Sequence, residues 1–67
     1  MKVFLNNNEI NLKQETNLIM LLEIKSINNP KGIALAVNNK VIPKKEWDNY
    51  FLNDGDKVVL IQAACGG

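Results

Sequence analysis

The groups best placed to do chemistry gather at one end of this sequence, in Ala63-Ala64-Cys65-Gly66-Gly67. Gly66-Gly67 leaves a main-chain carboxylate with no side chain beside it. Glycine lets another backbone or a ligand come close, so a narrow partner channel could admit such an end. A carboxylate is a poor electrophile, and its oxygen is a poor leaving group. Its expected chemistry is therefore activation by another protein. Residues 63–67, fully extended, would reach about 17 Å from their support, enough to thread from a docking surface into a buried site.

The rest of the inventory is mostly exclusion. There is no histidine, and Cys65 is the single cysteine. A zinc site of the usual Cys/His type is excluded, as are Cys-His and Ser-His-Asp nucleophilic sites. With no nucleophile–base pair, the expectation is a protein that is not itself an enzyme. Asp54-Gly55-Asp56 offers two carboxylates, too few for a calcium loop, and reads as a turn. Lys44-Lys45 reads as a solvated face, with partner steering as the lesser alternative.

Sixty-seven residues make one domain, and a 46% hydrophobic content argues for a packed core. The net charge is +1 and every basic residue is lysine. Neither a nucleic acid nor a membrane surface is an expected partner, since both need a concentrated basic face. A lone cysteine forms no internal disulfide, which fits a reducing compartment. Met1 to Asn7 lacks a signal-peptide pattern, and the apolar run Leu18 to Leu22 is too short to span a bilayer. The expected location is the cytoplasm.

The elements that must hold the C-terminal group can be read from periodicity. Val3-Phe4-Leu5, the turn Asn6-Asn7-Asn8 and the alternating Glu9-Ile10-Asn11-Leu12 predict a β-hairpin. Thr16 is the expected N-cap of a helix through Lys25, with Leu18, Leu21 and Leu22 as its apolar stripe. Pro30 and Gly32 are the expected stop. Ile33 to Val37 is almost wholly apolar and predicts a strand covered on both faces, or at least a central one. Asn38-Asn39-Lys40 turns the chain into Val41-Ile42, and Pro43 ends that strand. Lys44 to Phe51 is expected to hold a short helical turn. Lys57 to Gln62 is the last strand, a firm support for the five C-terminal residues. The order β-β-α-β-β-β gives a two-layer α+β domain with one helix on one face of a mixed sheet.

In this order and spacing, the sequence resembles a known family. The element order with Gly-Gly at the end is similar to the β-grasp, or ubiquitin-like, fold. More closely, it resembles the ThiS-type sulfur carriers of bacterial thiamine biosynthesis. The likeness runs the length of the chain. It is carried by Phe4, Asn6, Thr16, Leu21-Leu22, Gly32, Ala34-Leu35-Ala36-Val37-Asn38, Val41-Ile42-Pro43, Trp47, Asp54-Gly55-Asp56, Leu60, Gln62 and Gly66-Gly67. The resemblance implies a β-grasp domain over residues 1–62 and a flexible tail over 63–67. It makes Gly67 the working residue and Gly66 its clearance. An E1-like adenylating enzyme of the ThiF type would join Gly67 to AMP, using ATP and Mg²⁺. Sulfur from a cysteine desulfurase would then replace AMP, and the thiocarboxylate would serve a ThiG-type thiazole synthase. The carrier itself would bind no cofactor.

Three further positions carry paired readings. Cys65 stands where the family usually has a small unreactive residue. It is either a tolerated small side chain or a thiol that exchanges sulfur with its neighbour. Trp47 is either a partner anchor or a core residue with its indole N–H satisfied, and the core is expected. On the last strand, the resemblance assigns Val58 and Leu60 to the core. Alternation then leaves Val59 and Ile61 on an uncovered face, where they are candidate docking residues. Three alternatives to a thiamine sulfur carrier stand beside it. They are a molybdopterin-type sulfur carrier, a β-grasp interaction module that is never activated, and a modifier conjugated to lysines.

Overall fold

The computed structural model describes residues 1–27 and 31–62. In chain order the elements are β1 (Lys2–Leu5), β2 (Asn8–Asn11), α1 (Leu18–Ile24), β3 (Ile33–Val37), β4 (Lys40–Ile42), a 3₁₀ helix (Lys44–Asn49) and β5 (Lys57–Gln62). The strands form one five-stranded sheet in the order β2-β1-β5-β3-β4. The last strand of the chain is thus the middle strand of the sheet. It runs parallel to β1 and antiparallel to β3. The expected mixed α+β architecture is what the chain adopts.

Both hairpins close through two asparagines. Asn6 and Asn7 have φ of 49° and 70°, and Asn38 and Asn39 have φ of 50° and 70°. Leu5 pairs with Asn8 and Val37 with Lys40, so each loop holds two residues. Two left-handed residues in a two-residue loop match the right-handed twist of the strands, and asparagine is among the few side chains that tolerate this backbone. Gly55, with φ of 89°, serves the turn before β5.

The core lies between the sheet and α1. Val3, Leu5, Leu35, Val37, Ile42 and Val58 come from the strands, and Leu18, Leu21 and Leu22 from the helix. Trp47 is 1% exposed and closes one end of the core. Its indole N–H donates to the Ile42 carbonyl at 2.8 Å, so the ring is buried without an orphaned polar atom. Trp47 is therefore a core residue, as expected, and not a surface anchor.

Two local expectations are corrected, and a third is narrowed. The N-cap of α1 is Asn17, whose Oδ1 accepts the Met20 backbone N–H at 2.8 Å. The buried Thr16 hydroxyl instead donates back to the Lys13 carbonyl. The helix stops before Pro30 and Gly32 come into play, because Ser26 turns left-handed at φ 60°. The Ser26 and Ile27 N–H groups then donate to the Glu23 and Leu22 carbonyls, the paired bonds of a Schellman motif. Of the two readings of β3, the structure bears out the central strand and not the doubly covered one: it is interior and covered on one face only. Leu35 and Val37 are buried while Ala34 is exposed. The short α1 cannot screen both faces of the sheet.

Candidate functional site

Among the described residues the candidate site is β5, the strand expected to support the C-terminal residues, with the segments that hold it. Flanked on both sides, β5 aligns five residues with β3, from Ile33↔Gln62 to Val37↔Val58. Its pairing with β1 is shorter: Phe4↔Lys57 and Leu5↔Val58. That ladder runs through the Phe4 and Asn6 backbone N–H groups, which donate to the Asp56 and Val58 carbonyls at 2.9 Å each.

Where the backbone ladders give out, side chains take over. The Asn6 amide meets Leu60 twice. Its Oδ1 accepts the Leu60 N–H at 2.9 Å, and its Nδ2 donates to the Leu60 carbonyl at 3.2 Å. At the start of β5, Asn38 Oδ1 accepts the Lys57 N–H at 3.0 Å. Asn38 Nδ2 donates to Asp56 Oδ1, also at 3.0 Å. Asp56 is buried, and its other oxygen accepts the Asn53 N–H at 2.8 Å. Asp54 Oδ1 accepts the Lys2 N–H at 2.7 Å. The two carboxylates of the Asp54-Gly55-Asp56 turn thus anchor backbone next to β5. Among the described residues no group of His, Cys, Asp and Glu could hold a metal ion. Sequence reasoning assigned Asn6 and Asn38 to turns and missed their grip on β5. The available signal was an asparagine at the first left-handed position of each hairpin.

Val58 is 1% exposed and Leu60 is partly buried against the core, whereas Val59 is 41% and Ile61 58% exposed. Both lie on the face opposite α1, as expected. Val59 pairs with Ala36 and Ile61 with Ala34, and Ala36 also pairs with the exposed Val41. Small alanines between larger aliphatics make a low apolar stripe. Beside it is a half-open hollow of about 150 Å³ lined by Phe4, Asn7, Lys57, Val58 and Val59. The ion pair Lys2–Glu9, at 3.6 Å and half exposed, joins β1 to β2 and contributes little stability. Lys44 and Lys45 are exposed on the 3₁₀ helix. Gly67, Gly66 and Cys65 lie outside the described residues.

Comparison with known proteins adds to this geometry. The model of the ThiS family matches residues 2–67. The sulfur carrier protein ThiS of Escherichia coli strain K12 is 39% identical over 36 residues. That match spans about half the length of each chain, 54% in both cases. A crystal structure of the thiamine biosynthesis protein ThiS from Geobacter metallireducens superposes with a TM-score of 0.85 over the whole of both chains, at 20% identity. A solution structure of a thiamine biosynthesis protein from the same organism has a TM-score of 0.81, also at 20% identity, over all of this chain and 88% of the other. At that identity the two structures speak for the fold alone.

Proposed function

The chain belongs to the ThiS family, and from that premise we propose that it is a sulfur carrier for thiamine thiazole synthesis, with the Gly67 carboxylate as the group that is loaded. The single observation that carries this reading is the extent of the family match, which runs through Gly66-Gly67. The β-grasp frame with β5 at its centre supports it, because a terminal group is best presented from a strand that cannot shift.

The proposed chemistry takes place at the carboxylate and uses a partner's catalytic groups. In the active site of an E1-like adenylating enzyme, a Gly67 oxygen attacks the α-phosphorus of ATP. Pyrophosphate leaves, and the glycyl carbon becomes an acyl adenylate. That oxygen then leaves with AMP as sulfur takes its place. A persulfide donor delivers sulfur as an acyl disulfide, and a thiol reductant supplies the two electrons that release the thiocarboxylate. Thiazole synthase then takes the sulfur. The carrier contributes the reacting group, the strand that presents it and a docking face. We assign Val59 and Ile61 to that face, as partner-docking residues for the adenylating enzyme. Cys65, beside the loaded residues, is read as a small tolerated neighbour.

Intact-mass measurement after incubation with an adenylating enzyme, ATP and a sulfur donor tests the proposal. The expected result is replacement of one oxygen by sulfur on the wild-type chain and no such change on Gly67→Ala, whose methyl group obstructs the partner channel. Normal thiocarboxylate on the alanine variant would overturn the steric role of Gly67. A covalent link to protein lysines on the wild type would favour a modifier over a carrier.

A further inference from the structure

We propose that Asn6 is a positioning residue: its side-chain amide locks the far end of β5 and so sets the direction in which the chain leaves the domain at Gln62. The parallel ladder between β1 and β5 advances through Phe4 N–H to Asp56 O and Asn6 N–H to Val58 O. The next rung would have to involve Leu60, but β1 has already turned away into the Asn6-Asn7 loop. The Asn6 amide supplies that rung from a side chain. With one acceptor and one donor it satisfies both the N–H and the carbonyl of Leu60, as a neighbouring strand would. Asn6 lies 54 residues from Leu60 in sequence, so the contact is wholly tertiary.

Beyond Leu60, the β5 residues Ile61 and Gln62 align with β3 alone, through Ala34↔Ile61 and Ile33↔Gln62. A strand held along one edge can pivot about that edge. The Asn6 bonds lie on the other edge, at the last residue before this one-sided stretch, where they resist such a pivot best. Holding Leu60 from both sides gives the Gln62 exit one orientation before any partner arrives. In the carrier reading, on which the kinetic part of this inference rests, the activating enzyme then receives a β5 whose end at Gln62 is already oriented. Without the amide, that ordering must be completed on binding.

Asn6→Gly tests the inference. Glycine adopts a φ near 49° without strain, so the variant removes the amide and spares the turn. Asn39→Gly, at a left-handed position of the other hairpin, is the control for added chain flexibility. By NMR, Asn6→Gly should speed hydrogen exchange at the Leu60 amide about tenfold relative to the control, the loss of roughly one net hydrogen bond. Residual dipolar couplings of Ile61 and Gln62 should shrink. In adenylation assays its KM for the activating enzyme should rise about fivefold with kcat within about twofold. Because an unfolded fraction of a substrate also raises the apparent KM, the folded fraction of Asn6→Gly is fixed by circular dichroism and must equal that of the control. Leu60 exchange and Gln62 couplings equal to those of the control would overturn the lock. An unchanged KM alongside a loosened Leu60 would overturn its role in presentation. A wild-type chain that is never adenylated would count against the carrier reading, while the exchange and coupling data would still decide the lock.

Discussion

Trp47 occupies the spot where a large ring is most useful and most costly to change. Its body fills the end of the core and its one polar atom reaches the Ile42 carbonyl. Replacing it with phenylalanine keeps most of the apolar area but removes the indole bond to that carbonyl and leaves part of the ring's space unfilled. Trp47→Phe should cost about 1–3 kcal/mol, read as a lower midpoint in urea with an unchanged slope. Asp56 has a comparable role among the polar residues, since its carboxylate ties Asn53 and Asn38 together at the entry to β5. The core assignment of Trp47 was legible in the sequence, because an indole in so small a domain has few other apolar places to go. The pairing of Asp56 with Asn38 was not, because nothing local in an Asp-Gly-Asp turn says which distant amide its oxygens will meet.

Among the elements, α1 is the least supported by its own sequence. At seven residues it is too short to be stable alone and depends on packing Leu18, Leu21 and Leu22 into the core. Its ends show where local rules compete. Thr16 and Asn17 are both good caps, and the sequence leaves them close to equal. The choice falls to Asn17 because the segment around Phe51 pairs with it and fixes its extended backbone, while Thr16 passes into the interior. At the other end Ser26 holds a left-handed conformation that costs a non-glycine residue roughly 1 kcal/mol. Ser26→Gly relieves that strain at some cost in chain entropy. It should raise stability by about 0.5 kcal/mol, a rise of roughly 2–4 °C in Tm by calorimetry. A fall in Tm would mean that the serine hydroxyl contributes more than the backbone strain removes.

Considered whole, the molecule has two unlike faces. One side of the sheet is sealed by α1 and the 3₁₀ helix. The other carries Val59, Ile61 and Val41 in the open, next to the hollow beside Phe4 and Lys57. An apolar patch left uncovered on β5 suits the docking of a partner in the proposed carrier function. Ile61→Asp should weaken the complex with the adenylating enzyme by about tenfold or more, measured by calorimetric titration. Its Tm should stay within about 4 °C of wild type, because a surface substitution usually shifts stability by no more than about 0.5 kcal/mol. A large loss of Tm would instead mean that Ile61 is needed by the fold.

The sequence alone determined the element order, the two asparagine hairpins, the helical stripe, the opposite faces of Val58 and Val59, and the family likeness, and it was that likeness that turned Val58 inward. These rest on local rules. Side chains alternate along a strand, apolar residues repeat at helical spacing, and only a few residue types accept left-handed backbone. Tertiary structure decided the points those rules leave open. It placed β5 between β1 and β3, left β3 covered on one face, chose Asn17 over Thr16, and turned Asn6 from a loop residue into a rung against Leu60. The reason is physical. Each of these outcomes depends on hydrogen bonds and burial between segments far apart in the chain, and no window of neighbouring residues records which distant partner will satisfy them.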